Sequence, residues 1–363
     1  MSMKPPIASG IAALLALLGT SACAEPFAVT DAVGRVVGFD RPPPRIAVAG
    51  KASFMVADAA YLFPEARQRV VARCGGMVSR RGAGDFLALV GQGPAEPVEL
   101  PGNAGIEPIA AVRPDAVVLK SSNMPLGGEL ERLGIPVVYL DFETPEQYER
   151  DLAALGSLLG AKDRADALMS YFTGLSDSVG RRVAPLAAAE KPRTLLLQHS
   201  ERSGIAAFSV PPGDWIQTAL VERAGGVPVW KAAAGRGGWT VVNLEQIAAW
   251  DPDIIFVVNY ATSARGAVAD ILADPKWQAL RAARTGKVFA FPGDFCSWDQ
   301  PDPRWGLGLL WVATRMHPPL FGDVEMMSEL LRFYALYGMD EAKVRSHVLP
   351  LVEENIAQLH DEN

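Results

Sequence analysis

The 363-residue chain sets 34 Lys and Arg against 41 Asp and Glu, a formal charge of −7, with 49% apolar and 21% charged residues. That length suits two globular domains of ~100–200 residues each, and that composition excludes a disordered chain, which lacks the apolar surface to offset ordering entropy. An acidic balance without a dense Lys/Arg run excludes a general nucleic-acid binder, because phosphate neutralisation needs a concentrated basic surface.

Residues 1–24 read as a targeting segment and not as fold. Lys4 gives the positive start, residues 7–18 an apolar run too short to span a bilayer, and Ala22-Cys23-Ala24 an A-x-A cleavage site. Cleavage after Ala24 gives a freely secreted protein. The alternative is a lipid-anchored Cys23, although Thr20 stands where a lipoprotein signal usually has Leu. Two cysteines then remain, Cys74 and Cys296, far apart in the chain and expected as free thiols.

A small hairpin is expected over residues 29–37, followed by a proline-stiffened crossing at 41–45 and a buried strand over 46–50. Further buried strands are expected at 70–73, 116–119 and 137–140, with helices over 53–62 and 106–112 between them. Such alternation implies a parallel, helix-covered sheet. The pattern then changes. Thr144, Pro145 and Gln147 start a helix whose apolar face runs through Tyr148, Leu152, Leu155, Leu158 and Leu159, and Gly160 ends it. Asp163 opens a second, carrying Leu168, Tyr171, Phe172, Leu175 and Val179. Strands resume at 194–197, 254–258 and 288–291, and helices close the chain from Asp323.

An internal repeat ties the halves together. Glu107-Pro-Ile-Ala-Ala-Val-Arg-Pro-Asp115 matches Glu245-Gln-Ile-Ala-Ala-Trp-Asp-Pro-Asp253 at six of nine positions, and each copy runs into a buried strand. The fold class is therefore α/β: two Rossmann-like lobes with parallel-rich sheets, joined by a long helical backbone, with a ligand cleft between them. The boundaries are 25–143 for the first lobe, 144–190 for the helical backbone, 191–322 for the second lobe, and 323–363 for terminal helices expected to pack on the second lobe.

Thr30-Asp-Ala-Val-Gly-Arg35 followed by Pro44-Arg-Ile46, both repeats and the central helices together resemble a family of substrate-binding proteins of ABC importers. The group is the one with a helical backbone between lobes, serving ferric siderophores, haem, cobalamin and some metals or oxyanions. The resemblance implies a periplasmic, monomeric, non-enzymatic carrier without a resident cofactor, whose partners are an ABC permease and its ATPase at the inner membrane. It also implies that Glu107 and Glu245, one acidic point per lobe, dock onto basic residues of the permease, although both also suit the first turn of a helix.

Ligands of open parallel sheets bind at the carboxyl ends of the strands. Those loops carry Lys51, Arg80, Arg81 and Lys120 in the first lobe and Arg202 in the second, which suits an anionic ligand. Trp239, Tyr260 and Trp298 offer aromatic faces to a chelate, with Tyr260 also a possible ferric ligand; Trp215 and Trp230 read as packing residues. Of His199, His317, His347 and His360, only His199 follows an expected strand, so a bare metal site is disfavoured. The expected cargo is a ferric siderophore or similar anionic iron chelate, with haem, cobalamin or an oxyanion such as molybdate as alternatives. No nucleophile elbow, H-E-x-x-H or phosphate loop is present, which leaves a secreted hydrolase with an unrecognised carboxylate site as the reading from another class.

Overall fold

The computed structural model describes residues 27–75, 83–202, 205–235 and 237–356. The targeting segment lies outside these residues, and no described helix is long and apolar enough to cross a membrane. The chain opens with an antiparallel ribbon, β1 (Phe27–Thr30) and β2 (Val36–Phe39). Asp31 turns it: its carboxylate accepts from the backbone N–H of Val33 at 3.1 Å and of Arg35 at 2.9 Å.

The first lobe contains β3 (Ile46–Val48), β4 (Val70–Gly75), β5 (Val98–Pro101), β6 (Ala116–Leu119) and β7 (Val137–Tyr139), all parallel, in the order β5-β4-β3-β6-β7. Helices α1 (Ser53–Ala60) and α2 (Ile106–Ala111) are among its crossovers. Every residue of β3 and β6 is buried, which is why both read as unbroken apolar runs. Edge strand β5 escapes sequence reading because only Leu100 is buried and Pro101 ends it.

Two helices then cross between lobes, α3 (Pro145–Leu159) and α4 (Lys162–Val183). The Thr144 hydroxyl caps α3 by accepting from Gln147 N at 3.4 Å, and Gly160 leaves it in the left-handed conformation, φ 69°.

In the second lobe, β8 (Arg193–Arg202), β9 (Ile205–Val210), β10 (Val227–Pro228), β11 (Thr240–Val242), β12 (Ile254–Val258) and β13 (Val288–Ala290) form one sheet in the order β11-β9-β8-β12-β13, with β10 on β8. Strands β8, β12 and β13 are parallel, whereas β9 returns antiparallel on β8. The β8–β9 hairpin was not expected, because Gln198-His-Ser-Glu-Arg202 lacks the apolar alternation that marks a strand. Helices α5 (Leu244–Trp250), α6 (Trp305–Met316) and α7 (Met326–Ala335) complete the set used below.

The sequence repeat is also a repeat of backbone geometry. Arg113 and Asp251, 138 positions apart, are both left-handed, with φ 49° and 37°. Ile109 and Ile247 are both fully buried beneath their helices. The N–H groups of Asp115 and Asp253 donate to the carbonyls of Arg45 and Arg193, each at 2.7 Å. Those two arginines reach back to the carbonyls of Val112 and Trp250 at 2.7 and 2.6 Å. One corner, built twice, sets helix against strand in each lobe.

The lobes meet at a buried cation. Arg304 is fully buried; its Nε donates to Asp294 at 2.6 Å and its Nη1 to Asp58 of α1 at 2.9 Å, with Asp302 at 3.5 Å. The guanidinium also lies 4.2 Å from the Phe86 ring centroid. Tyr334 donates to Asp294 at 2.6 Å, and Tyr337 to the Asp58 carbonyl at 3.1 Å. The terminal helices, expected to pack on the second lobe, reach the first lobe as well. The backbone carbonyl of Tyr337, just beyond α7, accepts from Arg67 Nη2 at 2.6 Å, and Phe86 packs edge-on to Tyr334 and Tyr337. The terminal segment straddles both lobes because it completes the shell of this ion cluster.

Burial pushes the Asp58 carboxyl up to about 7, opposed by Arg304 and reinforced by Asp302 and Asp294. An acid raised in the folded state binds more protons folded than unfolded between its two pKa values, so its contribution favours the fold at low pH and is lost as pH rises through 7. Melting temperature of the Asp58→Asn variant, measured at pH 5.5 and 8, should therefore fall less across that window than that of the parent; parallel losses would contradict it. Arg304→Met leaves buried carboxylates uncompensated and should cost about 3–5 kcal/mol by denaturant titration.

Candidate functional site

A cleft of about 680 Å³ opens between the lobes. Ala52, Phe54 and Met55 line it from the loop after β3 and the start of α1, and Glu143 from the loop after β7. From the second lobe come Gln198 to Glu201 on β8, Asn259 to Ala261 after β12, and Cys296, Ser297 and Gln300 after β13. Except for Trp215, Ile216, Gln217 and Trp239, these residues lie at or beyond carboxyl strand ends, where loops leave the sheets.

Three aromatic side chains form one wall. Trp239 stands edge-on to Trp215 (centroids 5.9 Å, 86°) and to Tyr260 (5.9 Å, 62°). Behind them, fully buried Asp299 accepts from Tyr260 Oη at 2.5 Å and Gln217 Nε2 at 3.2 Å, and its other oxygen accepts from Ser297 at 2.5 Å. One carboxylate thus fixes three cleft-lining side chains. Burial, then the Asp299 charge, holds the Tyr260 phenol well above its ordinary pKa, so its proton stays directed at Asp299. That geometry does not present Tyr260 as a phenolate for ferric ion.

His199 is oriented from Asn259. The Asn259 Oδ1 accepts from the N–H groups of Ala261 at 2.9 Å and Thr262 at 3.0 Å, so its amide nitrogen is the atom facing His199 Nδ1 at 3.1 Å. Cys296 is inert, since burial pushes its thiol well above the ordinary value. Both Cys74 and Cys296 are free and buried.

The anticipated site residues divide sharply. Trp239 and Tyr260 line the cleft. Trp298 does not: it is fully buried, its indole N–H donating to Asp294 at 3.0 Å, so it serves the interlobe cluster. Trp215, expected as packing, lines the cleft, whereas Trp230 is buried and donates to the Pro211 carbonyl at 2.9 Å. Lys51 is exposed outside the lining, its N–H bonded to Asn123 at 3.1 Å. Lys120 is buried and ion-paired to Glu143. Arg80, Arg81 and the side chain of Arg202 lie outside the described residues. Glu107 and Glu245 are exposed in the first turns of α2 and α5.

Sequence reasoning missed Phe54, Met55, Gln198, Gln217, Asn259 and Ser297. Asn259 was the accessible one: it directly follows a buried strand and opens a polar loop.

The family described as periplasmic binding protein matches residues 83–295. A molybdate-binding protein of Haemophilus influenzae is 27% identical over 259 residues, covering 66% of this chain and 72% of that protein. A periplasmic solute binding protein from Veillonella parvula has the same fold, with TM-score 0.70, 22% identity and coverage of 91% of this chain and 98% of that one. The nickel-bound Helicobacter pylori protein CeuE superposes with TM-score 0.67 and 18% identity, over 89% of this chain and 99% of that one.

If Asp299 organises this wall, Asp299→Ala should lower stability by about 1–3 kcal/mol by leaving buried donors unpaired. Asp299→Asn, which still accepts, should cost less than half as much; equal losses in urea titration would point to packing instead.

Proposed function

Because the chain belongs to the periplasmic binding proteins, we propose that it carries cargo for an ABC importer and that the cargo is an organic metal chelate of the ferric siderophore class. The observation that carries this reading is the Trp215–Trp239–Tyr260 wall on a cleft of about 680 Å³. Aromatic faces give a large, partly apolar ligand contact area at little entropic cost, and a cleft of that volume suits a drug-sized molecule. The polar groups around the wall, including Gln198, Asn259 and Ser297, supply hydrogen bonds that orient it.

A second reading, an oxyanion such as molybdate, rests on the Haemophilus influenzae relative, whose name is molybdate-binding protein. Tryptophan fluorescence separates the two. Titration with ferric hydroxamate, catecholate and citrate complexes, haemin, cyanocobalamin and molybdate should give saturable quenching by a ferric chelate. Trp239→Phe should remove most of that quenching and Trp298→Phe little of it. Tight binding of molybdate alone would replace the chelate reading, and substrate turnover would favour the hydrolase.

In the same reading residues 1–24 direct export and are removed, and Glu107 and Glu245 meet the permease. Both glutamates start helices that run back along their sheets, so both face the strand ends that carry the cleft. Two separated negative points orient an acidic carrier on a two-fold partner and speed encounter. Reversing both charges, Glu107→Lys with Glu245→Lys, should abolish uptake while leaving ligand affinity within about twofold; loss of affinity would remove them from the docking face.

A further inference from the structure

Given the carrier reading above, on which this inference rests, the loop after β7 bears on the chemistry of the cargo. Lys120 follows β6 at the carboxyl edge of the first sheet and is 2% exposed. Its ammonium has two side-chain partners among the described residues: the Glu143 carboxylate and the Met55 sulfur at 3.6 Å. Both partners line the cleft, so the charge sits directly behind the first lobe's side of it. The pair is lopsided. The lysine side chain keeps 3% of its surface exposed and the glutamate 49%.

A buried ammonium requires a counter-charge, because leaving it unpaired costs several kcal/mol. The cation is fixed in the sheet, but its anion belongs to a half-exposed side chain on a loop. That loop is shaped against local preference. Phe142, immediately before Glu143, is left-handed at φ 55°, a region a bulky side chain rarely adopts. Buried Asp151 holds it there by accepting from the N–H groups of Asp141 at 2.7 Å and Phe142 at 2.8 Å. Gln147 accepts from Glu143 N at 2.8 Å. The turn is thus held from two sides, and it presents Glu143 both to Lys120 and to the cleft.

We propose that Lys120 is the anion receptor of the cleft and Glu143 its resting occupant, displaced when an anionic oxygen of the cargo takes its place. Hydroxamate, catecholate, carboxylate and oxo groups all have the required chemistry. Competition with Glu143 sets a threshold that weak anions fail, and re-pairing of Glu143 with Lys120 assists release. A contrary role is chemically available to the same residues: Glu143 held in place by Lys120 to contact a cationic group of the cargo.

The sign of one substitution decides between them. Full-length parent and Glu143→Gln protein are titrated with a ferric tricatecholate, with molybdate, and with a ferric trihydroxamate ending in an ammonium group. Removal of the competing carboxylate should tighten an anionic probe by about tenfold, and Lys120→Gln should weaken it by at least as much. Without ligand, Glu143→Gln should melt lower than the parent, and the anionic probe should restore it. Glu143→Asp, which keeps the charge on a shorter arm, should fall between and serves if the glutamine variant fails to fold. Unchanged or weakened anion binding in Glu143→Gln overturns the proposal, and selective weakening of the ammonium-bearing probe establishes the contrary role. If only the ammonium-bearing probe binds, the carrier reading stands and this proposal falls; if no probe binds, both fall.

Discussion

A single buried guanidinium organises how the two halves of this protein sit together. Arg304 takes a carboxylate from α1 in the first lobe and two from the segment after β13 in the second. The terminal tyrosines and Phe86 close the shell around it. Charges without solvent have steep distance dependence, so this cluster tolerates little relative movement of the lobes at that point. Crossing helices α3 and α4 brace the same junction.

The cleft follows from the same construction. Duplicated corners place β3 and β8 as equivalent central strands, and the loops leaving their carboxyl ends face one another. The second half then departs from the first: β9 returns antiparallel, and the β8–β9 hairpin supplies Gln198, His199, Ser200 and Glu201 to the wall. The first lobe contributes an ion pair and apolar contacts, the second an aromatic wall set by Asp299. The chemical asymmetry of the site is built on a symmetric frame, with the ion pair on one side and aromatic faces on the other.

Buried acids recur as positioning devices. Asp151 fixes the strained turn before Glu143, Asp299 fixes Tyr260, Gln217 and Ser297, and Asp294 anchors Trp298, Tyr334 and Arg304. Each carboxylate accepts several hydrogen bonds, and that multiplicity is what makes its burial tolerable. None of the three stands on the cleft surface. Each acts through the side chains or backbone that it holds.

The family and the two-lobed α/β frame were legible from sequence, because buried parallel strands are continuous apolar runs and the helix–Pro-Asp–strand corner recurs almost unchanged. Residues 145–159 and 162–183 announced themselves by a cap, a terminating glycine and a helical apolar stripe. Which of Trp215 and Trp298 lines the cleft was not legible. Trp215 and Trp298 both sit in polar, proline-containing loops, and local sequence does not say which loop folds inward. Likewise Lys120 reads as a free cation until tertiary structure brings Glu143 to it from 23 residues away. Periodicity records which residues a strand or helix buries locally; partners across the chain are chosen by packing, and only the folded structure decides them.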